Sequence, residues 1–597
     1  MKRLLTALVI TLAFAATPSR GQTASESVAP EAKTGTLSVA ADPAVSAALA
    51  EKEAGRAVTA GKWMVVANNP LATAAGAKIL RAGGSAADAM IAVQSVLGLV
   101  EPQSSGLGGG AFLVWYDAES GKLTTLDGRE TAPLAARPEL FLDANGEPLK
   151  FFDAVVGGLS VGTPGTPRLM EAAHRRWGRM AWRNLFDDAI ALAENGFEVS
   201  PRLAGLVARD SERLSRFPAT AAYFLPGGTP LQEGTVLKNP AYGKTLEMIA
   251  AEGADAIYSG PIARNIVNVV NNAPGNPGVL APIDLELYRV VEREPVCVVY
   301  RLHDVCGMGP PSSGAMTIGE ILGMLRGHDL SALGPESPEA WRLIGDASRL
   351  AFADRGLYMA DTDFVPVPSG LLKDDYLADR AKLLDRKDAL PEAEPGEPQW
   401  DHAELRGDGV AIELPSTSQI SIVDSYGNAL SMTTTIENAF GSRLMTPDGF
   451  LLNNELTDFS FATHDEDGRP VANRVEPGKR PRSSMSPTIV LQDGKPVFIM
   501  GSPGGSSIIA YVLQAIIAHF DWGMDVQQAV AMPHLLNRFG TFEVEAGTTA
   551  EALAEPLRAL GYIVKVGDQN SGLAGIAIGA TLSGGADPRR EGIALGE

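Results

Sequence analysis

One break in texture constrains this chain more than any other feature. Residues 387–413 are acidic and Pro-rich (Pro391, Pro395, Pro398), and a strand-like run follows: Pro415-Ser416-Thr417-Ser418-Gln419-Ile420-Ser421-Ile422-Val423-Asp424. Prolines and clustered acids mark an exposed linker. A chain that cuts itself before Thr417 would have this layout. The Thr417 hydroxyl would attack the Ser416 carbonyl, an N-to-O acyl shift would give an ester, and water would hydrolyse it. An exposed, strained turn is the expected setting. The new N-terminal Thr417 carries a hydroxyl nucleophile and a free amine, so it acts as nucleophile and base together. Such an amine titrates at about 7.7–8.0 when unperturbed. The structural alternative is a Thr that simply begins a strand, where β-branching is favoured.

On the self-cleavage reading the 597 residues are a precursor. Residues 56–416 form a large subunit, whose end (381–416) is an exposed acidic linker, and residues 417–597 form a small catalytic subunit. At the N-terminus, Lys2 and Arg3 precede an apolar run from Leu4 to Ala16, with an Ala-x-Ala site at Ala13-Phe14-Ala15. That predicts a cleaved signal peptide over 1–21 and export to a periplasm or beyond. Residues 22–55 are Ala/Ser/Glu-rich and are expected to be a disordered leader. No later run is long enough to span a membrane. The formal charge of −21 argues against nucleic acid or an anionic membrane as partner.

Order is expected from a short strand at residues 64–67. Two helices then run over 71–100, broken at Gly83-Gly84-Ser85. A hairpin spans residues 111–126 around Glu119-Ser120-Gly121. Residues 157–380 read as mostly helical. After Thr417 come strands at 419–423 and 429–436, a hairpin over 488–500, helices at 506–520 and 550–560, and strands at 542–545 and 562–566. Strand pairs with helices outside them imply an α/β body with two facing sheets. Cys297 and Cys306 form a hairpin disulfide or remain buried thiols. The seven histidines make no metal-binding pattern, and the proposed chemistry requires no cofactor.

Five segments carry candidate chemistry. Thr417 is the first. In the second, Gly501-Ser502-Pro503-Gly504-Gly505 runs into an apolar helix, so Gly504 and Gly505 are candidate donors to an oxyanion; a plain turn is the alternative. In the third, Lys479-Arg480-Pro481-Arg482-Ser483-Ser484 sets hydroxyls beside cations, suited to a carboxylate. In the fourth, Asn453-Asn454-Glu455-Leu456-Thr457-Asp458, two acids three apart can grip an ammonium. In the fifth, Gly106-Leu107-Gly108-Gly109-Gly110 enters a strand, so close backbone packing explains it better than dinucleotide binding. Arg129, just beyond the hairpin, is a candidate carboxylate clamp.

Taken in their order along the chain, with Asn69-Pro70-Leu71-Ala72, Arg129-Glu130-Thr131-Ala132-Pro133, Pro310-Pro311-Ser312-Ser313-Gly314, Ala353-Asp354-Arg355 and Arg482-Ser483-Ser484-Met485-Ser486-Pro487, the landmarks resemble the γ-glutamyltransferase (glutathione hydrolase) family of N-terminal nucleophile hydrolases. The resemblance implies a four-layer α/β/β/α sandwich matured into a heterodimer from one self-cleaved precursor. It implies Thr417 as nucleophile, Thr435 as its hydroxyl neighbour, and Gly504 and Gly505 as the oxyanion hole. Arg129, Ser483 and Ser484 would hold the substrate α-carboxylate, and Glu455 and Asp458 its α-amine. The partners implied are a γ-glutamyl substrate and water, an amino acid or a peptide as acceptor.

Two departures stand out. Glu437 replaces the Asn that usually touches the substrate amine, and Gln419 stands where His is frequent. The segment 460–478 also lacks a lid tyrosine, which suggests a more open site. Relatives that remove acyl groups from β-lactams share this architecture, so a glutaryl-type cephalosporin acylase is the second expectation. An exported binding protein that never matures is the third.

Overall fold

The computed structural model describes residues 42–400, 406–409, 411, 413 and 416–597. The expected signal peptide and the leader up to residue 41 lie outside them. The strand Gly110–Tyr116 shows how the layers arise, because all seven of its residues are buried. Ala111, Leu113 and Trp115 join an apolar cluster with the helix Ala86–Val100, whereas Val114 and Tyr116 join Ile489, Ile499 and Ile576 on the other face. A period-two strand apolar on both faces must be covered on both.

The first sheet runs Ile593–Gly596, Met64–Ala67, Ser418–Val423, Ala429–Thr435, Gly110–Tyr116, Leu123–Gly128, Val291–Arg293. The second runs Val58–Ala60, Leu582–Ala586, Ala574–Ile578, Lys495–Gly501, Thr488–Gln492, His303–Gly307, Val296–Tyr300. Neighbouring strands are antiparallel throughout. Helices Pro70–Arg81 and Ala86–Val100 pack on the outside of the first sheet, and Gly314–Leu325 and Ile508–Phe520 on the outside of the second. The result is the four-layer α/β/β/α sandwich.

The break between the first two helices is built as expected. Pro70 follows the N-cap Asn69, whose side chain accepts from the Leu71 N–H at 3.0 Å. Ser85 and Asp88 then form a reciprocal capping box, which satisfies two otherwise orphaned N–H groups.

Several expectations need correction. Residues 43–53 of the supposed leader are helical (Pro43–Glu53). Asp42 caps that helix, Val45 and Ala48 are buried, and the Lys52 ammonium donates to the carbonyls of Arg590 and Gly592 at 2.5 and 2.7 Å. Low periodicity concealed a helix held by a distant contact. The mostly helical reading of 157–380 missed five strands: the short pair Phe197–Glu198 and Val236–Leu237, and Val291–Arg293, Val296–Tyr300 and His303–Gly307 in the sandwich. The acidic segment is also not exposed to its end, since Leu384, Leu390, Glu413 and Ser416 are buried. Strands Thr541–Glu545 and Ile563–Gly567 pair in a small separate sheet rather than in the sandwich. Cys297 and Cys306 face each other across an antiparallel pair and form a disulfide.

Candidate active site

Ser418 pairs with Thr434, so the continuing register sets Thr417 opposite Thr435. Their hydroxyl oxygens lie 3.2 Å apart. The Thr417 hydroxyl donates to the Ser416 carbonyl oxygen, which sets the nucleophile against the bond that would be cut. The Thr435 hydroxyl reaches the same oxygen at 3.3 Å and accepts the Glu437 N–H at 2.9 Å. Thr417 is only 3% exposed, so this is not the exposed turn expected from the linker. Tight flanking contacts replace exposure as the means of positioning the bond. Ser416 Oγ donates to the Gln103 carbonyl at 2.7 Å, the Gln419 N–H donates to Asn68 Oδ1 at 2.5 Å, and Arg590 Nη1 donates to the Thr417 carbonyl at 2.9 Å.

Gln419 lies between the sheets. Its amide donates to Ser431 Oγ at 3.0 Å and accepts from Thr433 Oγ1 at 2.7 Å. Gly501 faces it with no space to spare, because a Cβ there would come within 2.2 Å of the Gln419 side chain.

Around Thr417 a pocket is lined by Arg129, Glu413, Ser416, Thr435, Glu437, Glu455, Asp458, Ser483, Ser484, Met485, Gly505 and Ile508. Of the residues expected from sequence, only Gly504 is missing from this wall. It precedes Gly505 with φ 139°, and a Cβ there would meet Tyr511 at 2.6 Å, so both conformation and space demand glycine. The Gly106–Gly110 run packs backbone on backbone, as expected. A Cβ on Gly109 would sit 2.0 Å from the Thr435 carbonyl.

Arg129 is buried and nearly saturated. It donates to the carboxylates of Glu455 and Asp458 and to the carbonyls of Pro481 (3.2 Å) and Arg482 (2.9 Å). The clamp expected for a substrate carboxylate is thus paired here with the two acids expected for the substrate amine. Burial pushes the Asp458 carboxyl well above its usual range against the pull of Arg129, with Glu413, Glu437 and Glu455 adding to the rise. Burial likewise raises Glu455, with Arg129 opposing. Glu130, buried beside them, is raised well up by burial and by Glu455. Glu437 sits at φ 72° and accepts from the Asn454 amide. Segment 460–478 lies alongside, with Asn473 donating to the Asp458 carbonyl at 2.7 Å and accepting from the Arg482 N–H at 2.9 Å.

Glu413, Met485 and Ile508 line the pocket but went unassigned from sequence, and so did Arg355, which holds Glu413. Glu413 was read as part of a solvated acidic run, and Arg355 as a landmark without a role. Arg355 Nη2 donates to the Glu413 carboxylate and to Ser484 Oγ (2.8 Å), and its Nε donates to Ser313 Oγ (2.8 Å). Burial alone would raise the Glu413 carboxyl, but Arg355, Arg482 and Ser484 hold it below the usual range. An acid four residues before the expected cut was the available signal. The arrangement offers a nucleophilic hydroxyl held against the carbonyl oxygen of the bond to be cut, beside a cluster of cations, hydroxyls and acids suited to a zwitterion.

Comparisons with known proteins point to one family. The family model described as gamma-glutamyltranspeptidase matches residues 72–597. A glutathione hydrolase proenzyme of Bacillus subtilis (strain 168) is 37% identical over 550 residues, covering 89% of this chain and 91% of that protein. A glutathione hydrolase proenzyme of Escherichia coli (strain K12) is 36% identical over 555 residues, covering 90% and 92%. Among solved structures, a cephalosporin acylase from Bacillus halodurans superposes with a TM-score of 0.80 at 25% identity, covering 91% of this chain and 97% of that one.

Proposed function

Because the chain belongs to the gamma-glutamyltranspeptidase family, and is a γ-glutamyl hydrolase/transferase made as a self-processing proenzyme, we propose that both its maturation and its catalysis run through Thr417. The observation that carries this is the Thr417 hydroxyl lying against the Ser416 carbonyl, with the Thr435 hydroxyl 3.2 Å away. In maturation, Thr417 Oγ forms a bond to the Ser416 carbonyl carbon. The peptide C–N bond breaks, and the nitrogen takes up the proton to become the α-amine. Water then cleaves the ester, leaving a Ser416 carboxylate and an N-terminal Thr417. Thr435 stabilises the oxygen that gains charge.

In turnover the freed amine takes the hydroxyl proton while Thr417 Oγ attacks the γ-carbonyl of a glutathione-like substrate. The amide nitrogen leaves with a proton, and a γ-glutamyl ester remains on Thr417. Water, or the amine of an amino acid or peptide, resolves it. Gly504 and Gly505 supply the oxyanion hole. Ser483 and Ser484 with Arg129 bind the α-carboxylate, and Glu455, Asp458 and Glu437 face the α-ammonium. The small subunit begins at Thr417 and the large one ends at Ser416. Export through the N-terminal apolar segment accords with the Cys297–Cys306 disulfide, since disulfides persist in oxidising compartments. Among the described residues no helix is long and apolar enough to cross a membrane.

The test is denaturing electrophoresis with N-terminal sequencing of the smaller fragment, together with release of a chromogenic anilide from its γ-glutamyl derivative. Thr417→Ala should remain one chain and release nothing; wild-type fragments from it would refute the assignment. The superposition on a cephalosporin acylase makes glutaryl amides a second substrate class. A strong preference for γ-glutamyl over glutaryl anilide would reject that reading.

A further inference from the structure

A second cleft lies in the part of the chain before Thr417, and none of the residues lining it lines the Thr417 pocket. Its volume is about 470 Å³, within the range of about 300–1,000 Å³ usual for small-molecule sites. Three elements bound it. The helix Thr166–Trp177 sends in Arg168 and Arg175, which stand about two turns apart and so share a face. The short helix Asp255–Tyr258 supplies both of its end residues. Glu286 and Arg289 flank the end of the helix Pro282–Leu287.

The floor of the cleft is held from both sides. Tyr258 is buried, with the Arg168 guanidinium 4.3 Å from its ring centroid and the Tyr288 ring stacked on it at 5.7 Å. Its hydroxyl donates to the Pro164 carbonyl at 2.8 Å. Tyr288 in turn donates to the Arg129 carbonyl at 2.8 Å, so the cleft lies one aromatic layer away from the Thr417 pocket.

Most of the charge in the cleft is already matched. Arg168 donates to Asp255 at 2.8 Å and to Glu171 at 3.2 Å, and Arg175 pairs with Glu171 at 3.1 Å. Glu171 also accepts the Ala254 N–H at 3.2 Å. Two groups stand outside this network. Arg289 donates through Nη1 to the carbonyls of Glu286 and Tyr288, both at 2.7 Å. Among the described residues no carboxylate pairs with Arg289 and no cation pairs with Glu286. The backbone there is fixed, since the Arg480 guanidinium donates to the Arg289 carbonyl at 2.8 Å. An unmatched guanidinium and an unmatched carboxylate therefore face one space.

The protein's charge of −21 disfavours a simple anion as the occupant, whereas a zwitterion carries no net charge. We propose that the cleft is a second ligand site, for a zwitterionic amino acid or short peptide, whose carboxylate binds Arg289 and whose ammonium binds Glu286. The guanidinium fork left open on Arg289 matches a carboxylate. Molecules of this class accept the acyl group in the turnover proposed above, so the cleft would hold acceptor or product beside the site of transfer. That use rests on the γ-glutamyl reading; the binding does not.

Calorimetric titration of triglycine into the Thr417→Ala precursor tests it. In the uncut chain the Thr417 pocket has about 20 Å³ of space, room for roughly one water molecule, so the heat reports the outer cleft. Triglycine should bind at a single site. N-acetyltriglycine, which lacks the ammonium, and triglycine amide, which lacks the carboxylate, should each bind about tenfold more weakly or worse. Arg289→Ala and Glu286→Ala should each weaken triglycine by a similar factor; both side chains are exposed, so neither change disturbs the core. Arg289→Ala should leave triglycine amide unaffected, because that peptide has already lost the matching end. No saturable heat up to about 10 mM triglycine would overturn the site, and so would wild-type affinity in both variants. N-acetyltriglycine binding as tightly as triglycine would make the cleft a plain anion site and overturn the zwitterion. If electrophoresis shows Thr417→Ala still cut, the Thr417 assignment fails, while the dependence on Arg289 and Glu286 still decides the cleft.

Discussion

Replacing Thr435 by Val keeps the shape of the side chain and deletes one hydroxyl, so its effects can be worked out contact by contact. That hydroxyl accepts the buried Glu437 N–H at 2.9 Å, lies 3.3 Å from the Ser416 carbonyl oxygen and 3.2 Å from Thr417 Oγ1. Leaving the Glu437 N–H without a partner costs about 1–3 kcal/mol of stability. The carbonyl contact is long in the ground state and should shorten as the oxygen gains charge during attack. Losing one donor of that kind costs about 2.7–4 kcal/mol in the transition state, or about 100- to 1,000-fold in rate. Thr435→Val precursor should therefore melt lower and cleave two to three orders of magnitude more slowly. Thr435→Ser, which keeps the hydroxyl, should cleave within about tenfold of wild type, since a lost methyl costs about 1 kcal/mol. The assay is a time course of fragment appearance with a parallel thermal melt. Wild-type cleavage in Thr435→Val, or equal slowing in both variants, would refute the role of the hydroxyl.

Three further outcomes follow from groups around the site. Glu591, buried with its carboxyl raised to about 7 by burial, holds its proton more tightly folded than unfolded. Its stabilising contribution is thus full below pH 4.5 and lost as pH rises toward 7, a swing of about 3 kcal/mol; Glu591→Gln should flatten the melting profile across that window, and an unchanged profile would refute it. Glu437 holds φ 72°, a region where Asn is enriched and longer side chains are strained, so Glu437→Asn should raise the melting temperature by the equivalent of about 1 kcal/mol; a lower one would count against strain there. The Cys297–Cys306 bridge closes a loop with a sequence separation of 9, for which chain entropy predicts about 2–3 kcal/mol; melting with and without reductant, or of Cys306→Ser, measures it.

Much of the sandwich was legible because its strands carry period-two or fully apolar patterns, as at Gly110–Tyr116 and Thr488–Gln492. The strands at 291–307 were harder to see. Val299 and Leu302 are exposed there, and the second sheet buries only alternate positions near its edge. The helix Pro43–Glu53 was hidden because its order depends on Lys52 reaching carbonyls more than 500 residues away, a contact that no local pattern contains. In the site, the hydroxyls, glycines and acids expected from motifs do converge, apart from Gly504. What sequence could not convey was pairing. Arg129 and the Glu455/Asp458 couple read as separate tools for two ends of a substrate, yet they satisfy each other. Glu413 read as surface charge, and only the fold brings it to Arg355.

The cut proposed at Thr417 falls where it cannot separate the pieces. The strand Ser418–Val423 is bordered on one side by Met64–Ala67, which lies before the break, and on the other by Ala429–Thr435, which lies after it; Ile593–Gly596 then closes over the far edge of Met64–Ala67. In the opposite layer His303–Gly307 is hydrogen-bonded to Thr488–Gln492. Pulling the fragments apart would mean unzipping both layers, so dissociation and denaturation are one event. The matured protein should therefore keep full activity at any dilution, and recombining separately made halves should require that they fold around each other.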